Sequence, residues 1–392
     1  MEARAIAAEP SFRWFPIALG IGAVMLLGLL YGAAQIAFVG HSSLGTTKEV
    51  PWGLFIINYA WAISSIGLSY IASFGIVLGY KQFDVIGRRA LYLALLIVVA
   101  GALSVAADLA QPLRFYHLLL TGHYAAPMGV VATSLTLYIA LIALELLLVI
   151  KRGHHDVLVK AVAIAAFIAA VVVHSYHGAI FGLHYSRSFW YGPYYPIYFL
   201  LSALFTSSAL IIFVTVVTYK AMGIQMSERL KESLRTIGTM LSYLLVVALF
   251  FLYWKLVSGH FAHKKEAIML LGGSFAVNFW VCEVLMTYLV PLGILAYARF
   301  KDLNIMAIAG LMVVVGLYVG RYDFIIVGQL VPFLGYAPFD ATSANAVSSL
   351  ATYTPSLAEI AYSIGLFGFI WTGYILGVKY LPLHQDENGN GH

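Results

Sequence analysis

Asp108, Glu145, His174, His177, Glu283 and Arg321 lie within or at the ends of long apolar stretches of this 392-residue chain. An ionisable group in hydrocarbon costs roughly 2.5 kcal/mol or more unless it is paired or wetted, so each is kept for structure or for chemistry. Asp108 stands in Ala107-Asp108-Leu109-Ala110-Gln111-Pro112-Leu113-Arg114-Phe115, where Pro112 ends a helix and Arg114 can fold back toward the carboxylate. That spacing suits a helix-end ion pair or a proton-exchanging acid at the mouth of a pocket, and both remain open. His174 and His177 are three apart and share one helix face. They can be hydrogen-bonded core residues, a proton relay or ligand contacts, but not the two axial ligands of one haem. A di-haem cytochrome b needs about four histidines in facing spans, and the other ten here fall in loops, at span ends or in the tail. Glu283 is mid-span with nothing local to neutralise it, so it protonates or finds a basic partner on another helix. A tie to Arg321 is one option, although the two are expected at different depths. Glu145 and Lys255, near span ends, are expected to snorkel. Glu359 stands three residues after Ser356, the spacing of a capping box that opens a helix.

The elements that carry these groups follow from composition. The chain is 62% hydrophobic and 10% charged, with mean hydropathy +0.90, against about a quarter charged in soluble domains. That excludes a water-soluble enzyme and a disordered chain. The 22 Lys and Arg are scattered between apolar runs, not gathered into a basic face, which excludes a nucleic-acid binder. Runs long enough to cross a bilayer cover about 14–39, 53–79, 90–110, 127–149, 161–182, 196–218, 236–258, 268–298, 303–320 and 356–378. The eighth is too long for one level span and predicts a tilt or a kink at Pro291. The predicted fold is therefore an all-α polytopic membrane protein of about ten helices, the first retained and not cleaved as a signal. Fifteen Lys and Arg fall on the side of the termini and seven on the other, which places both termini in the cytoplasm. The long segment 321–355 on the other side is expected to serve as a docking surface or lid. The single cysteine, Cys282, excludes disulfides and any iron–sulfur or Cys-based zinc site built by this chain alone. Ser64, Ser65, Gly67, Ser69, Ala72, Ser73 and Gly75 let helices approach closely, and Asn58, Tyr59 and Trp61 on the same span suit a ring-shaped ligand between helices.

Several of these stretches together resemble the NrfD-like family, the haem-free membrane subunits of polysulfide reductase and related quinone-linked complexes. Pro51-Trp52-Gly53 is similar to the family's Pro-Trp-Gly start of a helix. Asp108 to Phe115 resembles its Asp-Leu-Gly-Arg-Pro-x-Arg-Phe element, with Ala110-Gln111 in place of Gly-Arg. Ala126-Pro127-Met128 resembles Ser-Pro-Met, followed here by Gly129-Val130-Val131. His177 with Gly182, Trp280 with Glu283 and Pro291, and Pro355-Ser356 with Glu359 resemble features of ten-span members, including the hydrogenase-linked branch.

The resemblance implies a core of two four-helix bundles, residues 53–182 and 183–328, with the remaining segments 1–52 and 329–392 carrying the flanking first and last spans. It further implies a quinone site at the external edge of the first bundle, near Trp52, Asp108, Arg114, His123 and Met128. The quinone, menaquinone or ubiquinone, would be the only cofactor, with no haem or iron–sulfur cluster in this chain and no metal. A four-cluster ferredoxin-like iron–sulfur subunit outside the membrane would exchange electrons with it, beside a catalytic subunit that is a molybdopterin enzyme, a hydrogenase or a cytochrome. The location implied is the cytoplasmic membrane of a prokaryote, and the chain would not be catalytic alone.

Quinone chemistry moves two electrons and two protons, so it needs proton-exchanging groups within hydrogen-bond reach of the ring oxygens. Asp108 is assigned the acid, His123 or Tyr124 the contact with the ring, and Arg114 the tuning of the acid; Asn58, Tyr59, Tyr138 and His177 are further candidates. Glu145, His174, His177, Glu283 and Arg321 are assigned to a proton path across the bilayer. The alternatives are a secondary transporter, which should show Gly/Pro-broken spans at matching positions in two halves, and a passive anchor, which needs no buried charge.

Overall fold

Ten of the apolar runs fold as long helices in the computed structural model of the chain, which describes residues 11–331 and 350–383. They are α1 (Phe15–Val39), α2 (Leu54–Ile76), α3 (Lys81–Asp108), α4 (Pro127–Arg152), α5 (Val157–Gly182), α6 (Tyr194–Met222), α7 (Glu228–Phe261), α8 (Asn278–Ala298), α9 (Leu303–Leu330) and α10 (Leu357–Tyr380). No strand occurs among the described residues. The chain is an all-α polytopic membrane protein. Phe15 and Tyr380 meet edge to face with centroids 6.3 Å apart, so α1 starts and α10 ends at one end of the molecule, called here the near end.

Small residues decide which helices touch. α2 is the central helix, 89% buried, while α1 is only 17% buried and packs along α10 on the outside. α2 is broken at Ile66-Gly67, where a Cβ on Gly67 would stand 2.4 Å from the Ala203 carbonyl of α6. α2 also packs on α3, α9 and α10; α4 packs on α5, α5 on α6, and α8 on α9. Gly316 and Gly320 of α9 lie against α8: a Cβ at Gly316 would meet Thr287 Oγ1, and one at Gly320 would stand 3.3 Å from the Glu283 carboxyl carbon. Without side chains on that face, two helices reach near backbone contact.

Two expected boundaries are corrected. The run 268–298 is not one tilted helix: a short helix, Lys265–Leu271, ends at Gly272-Gly273, and α8 starts anew at Asn278. The break is at the glycines and not at Pro291. The first turns of α8, Asn278–Leu289, are π-helical, and Pro291, which cannot donate, follows them. α9 continues ten residues beyond its expected end at 320, so Arg321 and Asp323 lie inside a helix and not in a loop. Polarity did not end this helix because its polar side chains find partners among neighbouring spans: Gln329 exchanges two hydrogen bonds of 2.9 Å with the Trp52 backbone, and Arg321 bonds two serines. Most of the expected docking loop, residues 332–349, lies outside the described residues.

The capping box of α10 is present, and it does more than cap. Glu359 is fully buried, and its carboxylate accepts from the backbone N–H of Ser356 and Gly45 (both 2.8 Å), from Leu54 N–H (3.3 Å) and from the Tyr353 hydroxyl (2.7 Å). It thereby ties α10 to the start of α2 and to the loop before it. Removing it leaves several buried donors unsatisfied, at about 1–3 kcal/mol for each one not rehydrated. Glu359→Ala is expected to lower the thermal unfolding temperature of the detergent-solubilised protein, and an unchanged transition would contradict this role.

Candidate functional site

The far end, opposite Phe15 and Tyr380, holds the first group of candidate residues. Asp108 closes α3 and is half-buried. Its carboxylate has no hydrogen-bond or ion-pair partner among the described residues. Arg114 does not fold back onto it: it lies exposed on a short 3-10 turn, Pro112–Arg114, whose direction Pro112 fixes. The neighbour is instead His41, which donates from Nε2 to the Asp108 backbone carbonyl at 3.1 Å. His123, Tyr124 and Met128 are exposed around the start of α4, and the Tyr124 hydroxyl donates to Leu119 O at 3.0 Å. Trp52 is stacked on Trp190 (centroids 5.4 Å, 22°) and edge-on to Phe181. Nearby His184, outside the spans, has its pKa lowered by burial and then by the Arg187 charge, which keeps this ring a neutral packing partner of Trp52.

Below this rim the helices carry paired rings. Tyr59 of α2 packs beside Gly101 of α3, two helical turns or about 10 Å inward from Asp108. Its hydroxyl bonds His177 Nε2, while His177 Nδ1 donates to Val173 O at 2.6 Å. Tyr70 stands in the same relation to His174: its hydroxyl lies 2.8 Å from Nδ1, which also faces Ala170 O at 2.7 Å, and His174 Nε2 faces Ile63 O at 2.9 Å. Every nitrogen of the two rings thus has a hydrogen-bond partner. Tyr138 is buried and donates to Ser69 (2.8 Å) and Ile66 O (3.1 Å) beside them. Asn58 is satisfied by Ser363 and Tyr318, both at 2.7 Å. Glu145 does not snorkel: it is fully buried, and neither carboxylate oxygen has a partner among the described residues.

A second group lies between α6, α7, α8 and α9. Glu283 and Arg321, expected at different depths, line one cavity of about 10 Å³ together with Lys255, room for roughly one water. Arg321 is buried, donates to Ser64 (2.7 Å) and Ser202 (2.5 Å), and lies 4.1 Å over the Phe199 ring. Lys255 does not snorkel; it points inward, with Nζ 4.3 Å over Phe189 and 4.6 Å over Tyr195. Asp323 accepts from Asn278 at 3.4 Å, and its other oxygen has no partner among the described residues. Sequence reasoning missed Lys255 and Asp323 as interior groups. Lys255 stood three residues from the expected end of its span, and the aromatic loop that covers it joins it only in the fold.

The fold and these groups define a multi-pass membrane protein with titratable side chains inside the bundle and at one rim. The chain belongs to the polysulphide reductase NrfD family, whose model matches residues 42–333. It is 26% identical to one of the subunits of selenate reductase from Mesobacillus selenatarsenatis, over 89% of each chain. It is 24% identical to the Hdr-like menaquinol oxidoreductase integral membrane subunit of Archaeoglobus fulgidus, over 96% of this chain and 95% of that one.

Proposed function

We propose that this chain is the quinone-interacting membrane subunit of a multi-subunit oxidoreductase, with the quinone ring held at the far end of α2–α5 and Asp108 as its proton-exchanging acid. The observation that carries the reading is the half-buried, unpartnered Asp108 carboxylate beside His41, in a chain whose family and relatives are membrane subunits of reductases. A bound quinone would supply two-electron, two-proton chemistry at this rim. Asp108 would hold or release a proton at its carboxylate. His123, Tyr124 and Met128, exposed beside it, would orient the ring, and the apolar residues around them would exclude water. Arg114 would act from the exposed rim, without an ion pair to Asp108. Tyr59–His177 forms a prepared hydrogen-bonded pair behind the rim, with Asn58, Tyr138 and Trp52 holding the helices around it.

The proton path would use Glu283, Arg321, His174 with Tyr70, His177 and Glu145. In support, Arg321 touches Ser64, one residue after the Ile63 carbonyl that His174 bonds, so these groups form a polar thread through an apolar bundle. The two groups of helices, 53–182 and 183–328, would divide the work between quinone and proton handling. Electrons would pass to an iron–sulfur subunit at the far end, backed by a catalytic subunit, in the cytoplasmic membrane of a prokaryote. With Lys255 and Arg321 inside the bundle, the positive charge of the near-end loops outweighs that of the far-end loops further still, which supports cytoplasmic termini.

Gentle purification from native membranes, with lipid extraction and mass spectrometry, tests this. Stoichiometric quinone with a co-purifying iron–sulfur protein is expected; a lone, quinone-free chain would overturn the proposal.

A further inference from the structure

We infer that the cavity between α6, α7, α8 and α9 is a second proton-exchange site, in which Lys255 and Glu283 share one transferable proton through a single water. Three observations carry it. Lys255 and Glu283 line the same cavity without forming a direct ion pair among the described residues, and the space left is that of about one water. Gly320 makes room for the acid: the Glu283 carboxyl carbon lies 3.3 Å from where a Cβ would stand. Glu283 is also presented by the π-helical part of α8, a rare geometry that is frequent at functional sites.

The chemistry of the walls selects the ligand. A metal cation is repelled by Lys255 and Arg321, an anion by Glu283, and a ring does not fit the volume. A proton is what remains. When it moves from the Glu283 carboxyl through the water to the Lys255 amine, an O–H bond breaks and an N–H bond forms. A neutral pair becomes an ion pair, and the net charge is unchanged. The facing groups on each element frame this exchange: Tyr194, Tyr195 and Tyr198 on α6, Tyr288 and Asn278 on α8, and Arg321 and Asp323 on α9, with Ser64 of α2 and Ser202 of α6 fixing Arg321. The Tyr194 and Tyr195 hydroxyls have no partner among the described residues, leaving buried donors beside the cavity. Four aromatic rings within 5.8 Å hold the Lys255 ammonium in place of a carboxylate, so it can be discharged without breaking a salt bridge. The site extends the quinone reading and rests on it only for its use in turnover.

The test is infrared difference spectroscopy of membranes holding the assembled protein, titrated between acid and alkaline buffer. The wild type is expected to show a carboxyl band that titrates. Glu283→Gln removes it, Lys255→Met abolishes its pH dependence, and Lys255→Arg keeps it. Glu283→Asp, which moves the band, identifies the same signal if Glu283→Gln does not assemble. A spectrum unchanged in Glu283→Gln, or a band that titrates as before in Lys255→Met, overturns the site. Quinone affinity is measured in the same membranes and is expected to change less than twofold in these variants. A wild type that shows the band but binds no quinone sinks the quinone proposal alone. One that binds quinone without the band sinks this one alone.

Discussion

Asp108→Asn is expected to reduce quinone-linked turnover by about 10²–10⁴-fold, the usual contribution of a positioned acid or base. Asparagine keeps the size and a hydrogen-bonding end but cannot carry a proton at the ring. Because the Asp108 carboxylate makes no bond among the described residues, its replacement should leave folding and assembly intact, and the loss should fall on turnover. His41, which holds the end of α3 through a backbone carbonyl and not through the acid, separates the two roles. His41→Ala is expected to loosen the rim and weaken quinone affinity, with a smaller effect on the rate at saturation. Steady-state kinetics with a soluble quinol analogue on the assembled complex checks both. Normal turnover in a well-assembled Asp108→Asn protein would remove this residue from the chemistry.

Arg321→Met is expected to cost about 3 kcal/mol or more, as when one member of a buried charge group is removed. The guanidinium joins Ser64 of α2 to Ser202 of α6 from a position on α9, and it lies on Phe199 while facing Glu283 across the cavity. Methionine fills part of the volume but bonds neither serine and leaves the acids without their permanent cation. Arg321→Lys should rescue only in part, because a single ammonium cannot copy the planar fork. The readout is the yield of monodisperse protein and its unfolding temperature in detergent. Wild-type values in Arg321→Met would show that this arginine is not a structural hub.

Much of the fold was legible because hydrocarbon imposes a simple rule: about 20 apolar residues make a span. The spans and the capping box of Ser356 and Glu359 follow from local pattern alone. The misread boundaries share one cause. Arg321, Asp323 and Gln329 look like a loop when only sequence neighbours are weighed, yet their partners come from residues 52, 64, 202 and 278. For the same reason Lys255 and Glu145 were assigned to the interface: apolar run length places a residue along the membrane normal but gives no account of what faces it. The rim residues Asp108, His123, Tyr124 and Met128 are grouped by a family likeness, and the chain's own spacing of Asp108 and Arg114 leaves open both an ion pair and a proton-exchanging acid; the pair is absent among the described residues, with Arg114 exposed on the turn that starts at Pro112.

The most direct test of the quinone assignment is photolabelling of the assembled protein with an azido-quinone, followed by peptide mapping. Labels within residues 41–59 and 101–128, competed by excess quinone and reduced in Asp108→Asn, are predicted. Labels confined to residues 190–330, or labelling that excess quinone does not compete, would contradict it.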